Sequence, residues 1–376
     1  MSQFCGAAQP EGGLLKIAVF HNALDTIGGA ERVALTLGRD LPADVITAAC
    51  DPEKIRLMGF ERMPRSLGAL PRNAPWRQTA AFIRFAALKL REKYDCHIIA
   101  GDWAVGAALR HRPSLWYVHS PAREIWDLKS FTRDRIVPPP ARPAFDLWAA
   151  AMRPMYRDCA RRAGRLVCNS RNTQARVRRY FDREARVIHP PVETSRFRFK
   201  ESGDFWLSVN RTIQHKRIEM QFDAFRCLPS ERLVMVGAYE GASHFGEYRR
   251  RMLREAPVNV EVRGAVPMEE LAELYARCRG FITASVDEDF GLTAVEAMAS
   301  GKPVIAPAEG GYLETVVPGE TGVLIEGISA EKIAGAVRSL KDTVGRFRMA
   351  CEARAGDFGA ERFVREMREE IALAAR

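Results

Sequence analysis

The chain lacks several patterns that would assign it to a common functional class. Its eight cysteines form no Cys-x-x-Cys pair, and neither they nor its seven histidines show the spacing of metal ligands. It has no Gly-x-Ser-x-Gly elbow, no Walker phosphate loop and no Gly-x-Gly-x-x-Gly fingerprint. Cys50 and Cys168 fall in apolar runs, where a free buried thiol is ordinary. These absences favour a reduced, cytoplasmic setting and no metal centre.

Long apolar runs are also missing. The best candidates for a membrane span, Ala80–Leu90 and Phe145–Met155, are too short and carry Arg84, Lys89 and Arg153. The first fifteen residues have no basic start followed by an apolar core. They predict a disordered lead-in and not a signal peptide.

What the chain does have is the length and the alternation of an α/β protein. Its 376 residues exceed the usual limit of one hydrophobic core, so two domains are expected. Short apolar runs alternate with helical patterns, which favours parallel sheets. The strands predicted in the first half are Leu14–Phe20, Asp44–Cys50, Cys96–Gly101, Leu115–His119, Arg165–Asn169 and Arg186–His189. Those predicted in the second half are Phe205–Val209, Arg232–Gly237, Val258–Arg263, Gly280–Ala284, Pro303–Ala306 and Val323–Ile325.

The break between the domains is predicted near residues 190–204. His189-Pro190-Pro191 stops a strand, and the polar stretch Phe199–Asp204 precedes the next one. Each half has enough strands for one doubly wound domain, so we place the domains at 1–195 and 196–376. The C-terminal run Phe363–Arg376 has a helical pattern with no strand after it, and it either caps one domain or crosses back to the other.

Two carboxylates bracket a glycine at a predicted helix start in the second domain. Glu288 lies in the loop before the helix, and Glu296 lies one to two turns inside it. The backbone N–H groups of Phe290, Gly291 and Leu292 lie where the free donors of a helix N-terminus suit a diphosphate or sugar hydroxyls. Glu288 is expected to accept from sugar hydroxyls and Glu296 from a ribose. The arrangement predicts a nucleotide-sugar site.

Gly28 and Gly29 follow the first predicted strand and open a helix. Two glycines at such a turn let the backbone approach an anion closely, and the helix N-terminus adds positive potential. A plain tight turn is the alternative interpretation of the same residues.

Arg211 and Lys216 follow the first strand of the second domain. They can converge on a diphosphate, Arg211 through its planar fork and Lys216 as a point charge. There they would neutralise the charge that develops on a nucleotide leaving group, which a divalent metal does in other enzymes. The alternative is a basic surface loop.

His119 ends a predicted parallel strand, at the edge where the ligand crevices of α/β proteins form. This position favours a role in the site over a purely structural one. Proton transfer and hydrogen bonding to a sugar hydroxyl are both consistent with the position.

Positive charge is concentrated in the first half of the chain. Residues 1–190 hold 31 basic and 18 acidic side chains, a net charge of +13, whereas the remainder is net −3. Eleven arginines lie between 153 and 186. Most of these are expected on a solvated helical face. The sharper hypothesis is an anionic partner for the first domain, either membrane phospholipid or a lipid pyrophosphate. No recognisable motif supports nucleic acid.

In this order, these clusters resemble glycosyltransferase family 4, a group of retaining GT-B enzymes. The resemblance covers nearly the whole chain. It rests on Gly28–Glu31, Arg211 with Lys216, Glu288–Glu296, Ala297–Ala306, and Gly310-Gly311 through Gly322. It implies two Rossmann-like doubly wound domains that face each other across a cleft.

The resemblance also implies roles for particular residues. The second domain would bind a nucleotide-sugar and the first an acceptor, with retained anomeric configuration, no metal and no cofactor. Arg211 and Lys216 would bind the diphosphate. The other roles are implied for Gly28 and Gly29 (phosphate), His119 (sugar or catalytic pocket), Glu288 and the 290–292 amides (sugar), and Glu296 (ribose).

A finer similarity concerns the donor and the acceptor. The segments His119–Arg123, Cys168–Arg171 and Pro190–Glu193 resemble mannosyltransferases that build O-antigen-type polysaccharides on polyprenyl diphosphate and use GDP-mannose. In related guanine-binding members an acidic residue follows a Gly-x-Val turn. Here Val266 completes the turn near the base, and Met268 occupies the acidic position. This departure weakens the similarity to the guanine-binding members. Guanine stays the expected base because of the three segments, and uridine is left open.

The expected function is transfer of a hexose to a glycan or lipid-linked acceptor by a peripheral protein at the inner face of the cell membrane. One rival keeps the fold and predicts a GT-B nucleotide-sugar epimerase, which needs no acceptor. The other rival is not an enzyme but a basic membrane or nucleic-acid binding module, and it rests on the charge of the first half alone.

Overall fold

A computed structural model describes residues 15–237 and 243–375, in which the strands form two separate, wholly parallel sheets. The first sheet contains β1 (Ile17–His21), β2 (Asp44–Thr47), β3 (Arg65–Ser66), β4 (Cys96–Ile99), β5 (Ser114–Val118), β6 (Arg165–Cys168) and β7 (Arg186–Val187). The second contains β8 (Phe205–Val209), β9 (Arg232–Val236), β10 (Val260–Arg263), β11 (Phe281–Ile282), β12 (Val304–Pro307) and β13 (Gly322–Ile325).

Both sheets are doubly wound. The first has the order β3-β2-β1-β4-β5-β6-β7, and the second has the order β10-β9-β8-β11-β12-β13. Their central strands are apolar without alternation because helices cover both faces, which hides every side chain of β1 and β5 from solvent. The expectation of an α/β GT-B fold with two Rossmann-like units is confirmed.

The helices connect the strands in the right-handed manner of parallel sheets. They are α1 (Gly29–Asp40), α2 (Pro52–Leu57), α3 (Trp76–Ala87), α4 (Lys129–Arg135), α5 (Arg142–Arg162), α6 (Arg171–Phe181), α7 (Ile218–Arg226), α8 (Ser243–Glu255), α9 (Met268–Arg277), α10 (Leu292–Ala299), α11 (Tyr312–Thr315), α12 (Ala330–Leu340), α13 (Arg348–Gly356) and α14 (Ala360–Ala375). A 3-10 helix, Trp103–Leu109, follows β4. Side-chain caps fix some of the starts, as where Ser170 Oγ accepts from Thr173 N at the start of α6.

The first sheet has a core on each face. Phe20, Trp116 and Val118 point to one face, which is covered by α3, α5 and α6. Val19 and Tyr117 point to the other face, which is covered by α1 and α14. The long helix α5 therefore lies on the face opposite to the C-terminal helix.

The chain passes twice between the two sheets. The first passage follows β7 and contains the predicted boundary at 195/196. The second precedes α14, and Val192 N donates to Phe358 O (2.9 Å) where the two passages meet. Helix α14 then packs on the first sheet through Phe363 and Met367, and Glu370 bonds Arg165 (2.5 Å). Of the two positions considered for this helix, the structure shows the one that crosses back.

All twelve predicted strands are present, several with shorter ends. Asp44–Cys50 ends at Thr47, beyond which the chain bonds the loop after β1, as where Leu24 N donates to Ala49 O (2.8 Å). Gly280–Ala284 keeps only Phe281 and Ile282. Strand β3 was not predicted, since its exposed Arg65 and Ser66 have no apolar pattern. The predicted lead-in falls almost entirely outside the described residues.

Most arginines of the stretch 153–186 form ion pairs or hydrogen bonds within the protein. Within it, Arg162 pairs with Asp158 (2.8 Å), and Arg178 pairs with Glu184 (2.8 Å). Others in the stretch bond residues of α14 or of the second domain. Most of this positive charge is thus structural, and the sharper hypothesis of an anionic partner rests on the exposed arginines of the stretch together with basic residues outside it. In the part of the chain that the structure describes, none of the helices has the length and apolar character needed to cross a bilayer.

Candidate functional site

The carboxyl edges of the two sheets face each other, and the predicted site residues lie along this junction. Ser170 Oγ, at the start of α6, donates to Asp289 O (2.5 Å). Asn172 Nδ2 donates to Glu288 O (3.1 Å). Since parallel strands aim their following loops at one edge, each domain contributes its loops to the same cleft.

Lys216 and Glu288 are brought together. Lys216 ends a 3-10 turn after β8, Glu288 lies between β11 and α10, and Lys216 Nζ is 2.6 Å from Glu288 Oε2. Val286 N donates to His215 O (2.9 Å), which holds the two loops side by side. Burial opposes ionisation of Glu288, but the Lys216 ammonium outweighs it and lowers the pKa of the carboxyl to about 2.

The loop after β8 is a concentrated source of positive charge. Arg211 and Lys216 both lie close enough to His215 to act on its ring. Burial lowers the pKa of His215 well below its ordinary value, and the two neighbouring cations lower it further. Lys216 therefore lies beside a neutral imidazole with the charge of Arg211 nearby, and the binding of an anionic group by this pair stays a prediction.

Glu296 was predicted to accept hydrogen bonds from a ribose, but in this structure it is not open to a ligand. It projects from α10 with 1% of its side chain exposed, forms an ion pair with Arg32 of α1 and accepts from Tyr275 Oη (3.0 Å). A buried carboxylate needs compensating partners, and here the opposite domain supplies one of them. Arg32 directly follows the segment Gly28–Glu31 in the sequence, and no role was predicted for it.

The glycine loop approaches the other domain. Gly28 is the N-cap of α1, and a Cβ on Gly29 would lie 2.6 Å from Leu292 Cδ1. A Cβ on Gly28 would lie 2.4 Å from Glu31 Oε2. The loop is thus at the cleft, where the sequence placed it, and its lack of side chains lets α1 and α10 meet closely.

The start of α10 is shaped by the backbone of three predicted residues. Gly291 is the N-cap with φ 92°, and the helix begins at Leu292. Phe290 is buried, and its ring stacks on His189 at 5.3 Å. The first N–H groups of any helix lack partners inside it, so those of α10 open toward the junction. The Phe290 side chain thus belongs to the core, and the predicted role of its amide toward a ligand stays a prediction.

Gly310 and Gly311 brace the Glu288 loop. Gly310 has φ 58°, and a Cβ there would lie 2.4 Å from Glu288 O. Gly311 N donates to that same oxygen (2.7 Å). In the sequence, the pair Gly310-Gly311 predicts a turn that allows close approach, with a nucleotide as the neighbour. In the structure the partner of the close approach is the loop that carries Glu288.

His119 follows β5 on the first-domain side. Its ring contacts Tyr117 at 5.0 Å and His21 at 6.4 Å, and its Nε2 has no hydrogen-bond partner among the described residues. Burial, together with nearby His21, lowers the pKa of His119 to about 3. A neutral imidazole with a free nitrogen suits a hydrogen bond to a hydroxyl better than acid catalysis near neutral pH.

Arg176 was counted in the sequence only as bulk charge. Its guanidinium, 6% exposed, bonds Asp287 Oδ2 (2.7 Å) and Asp289, and Asp127 lies within 3.8 Å. Asp287 and Asp289 have the Asp-x-Asp spacing that holds divalent cations in some enzymes, but here one arginine of the other domain bonds both. A single arginine in an arginine-rich helix gives no sequence signal for this role.

The remaining predicted residue, Val266, lies between β10 and α9 and packs on the second-domain core. Met268, in the position that is acidic in related guanine-binding proteins, is buried at the start of α9. Neither contact identifies a base.

The sequence models of two glycosyltransferase domains match this chain. The model described as Glycosyltransferase Family 4 matches residues 27–196, and the model described as Glycosyl transferases group 1 matches residues 193–355. Together they run across both sheets and the cleft between them. The chain belongs to the GT-B glycosyltransferases.

Curated relatives share part of the chain. A D-inositol 3-phosphate glycosyltransferase of Corynebacterium aurimucosum is 37% identical over 113 residues, which are 30% of this chain and 27% of that protein. One from Streptomyces scabiei is 26% identical over 229 residues, or 53% and 51% of the two chains. The matches thus span between about a quarter and a half of these relatives. These relatives are named for an inositol phosphate and not for O-antigen synthesis. The finer similarity to O-antigen mannosyltransferases therefore stays a prediction.

Solved structures share the fold over nearly the whole chain. HepE of Anabaena in complex with UDP-glucose has a TM-score of 0.72 and 18% identity, with 95% of this chain and 99% of that one covered. Sucrose-phosphate synthase of Thermosynechococcus elongatus has a TM-score of 0.75 and 22% identity, with 94% and 98% covered. At these identities the likeness concerns the GT-B fold alone.

Proposed function

We propose that this protein is a metal-independent, retaining glycosyltransferase that binds a nucleotide-sugar in the cleft and transfers a hexose to an acceptor held by the first domain. The observation that carries this proposal is the Lys216–Glu288 pair at the carboxyl edge of the second sheet (2.6 Å). It presents a cation for the leaving diphosphate beside a carboxylate for the sugar hydroxyls.

The leaving group needs positive charge as its bond to the sugar breaks. Lys216 and Arg211 supply that charge from one loop, and the nearby N-terminus of α10 adds its dipole. A divalent cation would be redundant there, because the flanking Asp287 and Asp289 already bond Arg176. We therefore propose that no metal and no cofactor take part.

Glu296 takes the ribose in this proposal, and it has to share or exchange its present partner. Arg32 occupies the carboxylate from the opposite domain. Donor binding then replaces an interdomain contact by ribose hydroxyls, while the Tyr275 hydroxyl continues to hold Glu296. The glycine pair Gly28–Gly29 is close enough to α10 to meet the phosphates from the other side.

The donor and the acceptor are narrower proposals. GDP-mannose rests on the segments that resemble O-antigen mannosyltransferases, and Met268 in place of an acidic residue keeps UDP-sugars as the second choice. A lipid-linked glycan rests on the same resemblance. A phosphorylated polyol is the alternative acceptor. The names of the curated D-inositol 3-phosphate glycosyltransferases support this alternative acceptor.

A donor panel in the presence of EDTA tests the reaction. We expect nucleoside diphosphate release from one of GDP-mannose, UDP-glucose or UDP-N-acetylglucosamine, when a polyprenyl-diphosphate glycan or an inositol phosphate is supplied. Arg211→Ala and Lys216→Ala should each lower kcat/KM by roughly 10²–10³-fold. Lys332→Ala, which removes a lysine bonded only to the carbonyls after β13, is the matched control. Loss of activity on metal removal, or full activity of the Lys216 variant, would contradict the proposal.

The same mixtures separate the rivals. A GT-B epimerase would convert the donor with no acceptor present, which NMR of the donor alone detects. A nucleic-acid binding module would show salt-dependent retention of nucleic acid on filters and no turnover. We further propose that the protein works at the inner face of the cell membrane, with the first domain against anionic lipid.

A further inference from the structure

The two apolar runs considered above as membrane spans, Ala80–Leu90 and Phe145–Met155, lie largely in α3 and α5. Both helices turn large apolar side chains to the solvent. Leu147 is 73% exposed, Trp76 69% and Ile83 56%. An isolated exposed apolar side chain needs no explanation, but a group of them on one surface marks an interaction site.

These side chains belong to one surface because α3 and α5 pack side by side. Trp148 Nε1 of α5 donates to Thr79 Oγ1 of α3 (2.9 Å), and the rings of Phe82 and Tyr156 stack at 5.7 Å. The contacts advance along both helices in the same direction, so the helices run parallel. The rows of exposed apolar side chains on the two helices therefore lie next to each other.

Each stripe has helical spacing. On α3 it contains Trp76, Ile83 and Ala87, and on α5 it contains Leu147 and Ala151, followed by further exposed apolar residues to Met155 (41% exposed). We call this surface the α3–α5 face. At 1.5 Å per residue it is roughly 16–18 Å long, and two helices make it about as wide. An apolar area of this size, roughly 300 Å², equals the largest patch on a typical soluble monomer, and such patches are often functional.

Basic side chains surround the α3–α5 face. Arg157 and Arg161 are exposed at the C-terminal end of α5, Arg135 is exposed before its start, and Lys89 and Arg91 follow α3. The acidic residues of α5 are neutralised, since Asp146 bonds Lys129 and Arg133, and Asp158 bonds Arg162. The rim is therefore net positive, in line with the charge of +13 in residues 1–190.

The positive charge of this rim favours one binding partner of the α3–α5 face over another. A second copy of the chain placed symmetrically on the face would oppose equal basic rims, which repel each other. An anionic bilayer offers the opposite arrangement, with an acyl boundary for the apolar stripes and phosphates for the rim. Charge complementarity thus favours lipid over self-association.

A polar pocket at the α6 side of α5 fits the same partner. It measures about 400 Å³ and is lined by Trp126, Asp127, Arg153, Arg179 and Tyr180. Trp126 Nε1 and Asp127 Oδ1 are buried there without a hydrogen-bond partner among the described residues. A phosphate with a neighbouring hydroxyl, as in a lipid headgroup, would supply an acceptor for the indole and a donor for the carboxylate.

We propose that the α3–α5 face docks the first domain onto an anionic bilayer, with Leu147, Trp76 and Ile83 at the boundary between headgroups and acyl chains. The proposal deepens the membrane association put forward above and is independent of which sugar is transferred. Since α3 and α5 begin at the carboxyl edge of the first sheet, such docking brings the cleft close to a lipid-borne acceptor.

Vesicle flotation tests the docking. The full chain is mixed with vesicles of phosphatidylglycerol and phosphatidylcholine, and with vesicles of phosphatidylcholine alone. We expect binding to the first kind, weakened by salt, and little binding to the second. Leu147→Glu should lower the partition coefficient roughly tenfold or more, because it puts a charge into the acyl boundary. Met349→Glu, in α13 of the second domain and also 73% exposed, is the matched control and should bind like the parent.

A second readout measures insertion. Brominated lipid should quench a part of the tryptophan fluorescence that disappears in Trp76→Phe. Equal binding of the Leu147 and Met349 variants would overturn the proposal. So would equal binding to both kinds of vesicle, or a dimer seen by light scattering that Leu147→Glu abolishes. Circular dichroism checks the fold of each variant. Donor turnover with a water-soluble acceptor is measured in parallel, so a failed docking proposal is distinguishable from a failed reaction.

Discussion

The ionisable side chains of the cleft divide into fixed charges and neutral groups. Glu288, with a pKa of about 2, stays charged, while His119, with a pKa of about 3, stays neutral at physiological pH. Asp102 is the exception, because burial raises the pKa of its carboxyl to about 6 even though Asn22 donates to it. Of these three groups, only Asp102 changes its charge near neutrality.

The Glu288 pKa predicts a pH-dependent stability. Its folded-state pKa lies below the ordinary 4.5, so the ion pair with Lys216 stabilises fully above about pH 5 and loses its effect as pH falls toward 2. Glu288→Gln should therefore lower the free energy of unfolding by up to about 3 kcal/mol at pH 7. This difference should shrink steadily below pH 4.5. Urea unfolding of both proteins at several pH values measures it.

The matched control for this experiment is Glu184→Gln. Glu184 also pairs with an arginine, but 73% of its side chain is exposed, and surface pairs contribute little. A pH-independent difference between parent and Glu288→Gln would show that the carboxylate is not stabilised by Lys216.

At the level of residues, the sequence pointed to the loops of the cleft but not to the partners of their side chains. Glu288, Lys216 and Gly29 lie at the cleft because each follows a strand end, and their roles toward a ligand stay predictions. Arg32 and Arg176 were not assigned, because each acts on a carboxylate more than 100 positions away in the chain. Spacing within a segment holds no information about such a pair.

Among the elements, α10 shows how a short helix is held in place by glycine. Gly291 has φ 92°, which disfavours a side chain, and its Cα faces the ring of Tyr312. The helix is nearly apolar throughout, and six of its eight residues are buried, so its position is set by packing on every side. Any shift in its start would displace Glu288 and Glu296 together.

Two glycine substitutions separate backbone strain from steric clash. Gly291→Ala combines the strain of a left-handed conformation with a Cβ 2.7 Å from the Tyr312 ring, whereas Gly319→Ala, at φ 82°, has the strain alone and open space. We expect Gly291→Ala to cost roughly 1–3 kcal/mol more, which is the usual cost of overpacking. Urea unfolding of the two variants measures the difference. Equal losses would mean that the Tyr312 ring moves aside freely.

The strands differ in how well their sequence patterns predict them. Strands β8, β9 and β12 lie between recognisable helices and are mostly apolar and buried, so their patterns suffice. Strand β3 has two exposed polar residues and exists only because β2 offers it an edge. A strand that forms only through pairing with its neighbour has no sequence pattern from which it could be predicted.

On the scale of the whole molecule, ion pairs hold the two domains together across the cleft. Arg176 of α6 bonds Asp287 and Asp289, and Arg32 of α1 bonds Glu296. His189 and two backbone N–H groups at the start of α6 bond Glu314. The closed arrangement is thus maintained by polar contacts, which a ligand with phosphates and hydroxyls can exchange.

Removing one of these pairs should loosen the closure. Arg176→Met removes a buried guanidinium from two half-exposed aspartates. Because solvent screens these carboxylates, we expect a cost below the roughly 3–5 kcal/mol of a fully buried pair. We expect a larger radius of gyration in small-angle X-ray scattering, with secondary structure unchanged by circular dichroism. Arg178→Met, two positions along the same helix, loses only an exposed pair with Glu184 and is the control. Identical scattering from the two variants would show that Arg176 does not hold the domains closed.

The sequence by itself determined the two α/β domains, their strand order in the chain and the loops that bear charge and glycine, because these follow from local periodicity and from turn chemistry. Tertiary structure alone decided which carboxylates are already paired, that α14 returns to the first sheet, and that α3 and α5 leave apolar side chains in solvent. These outcomes depend on which surfaces meet. Residues distant in the chain become neighbours only after both sheets have formed and packed.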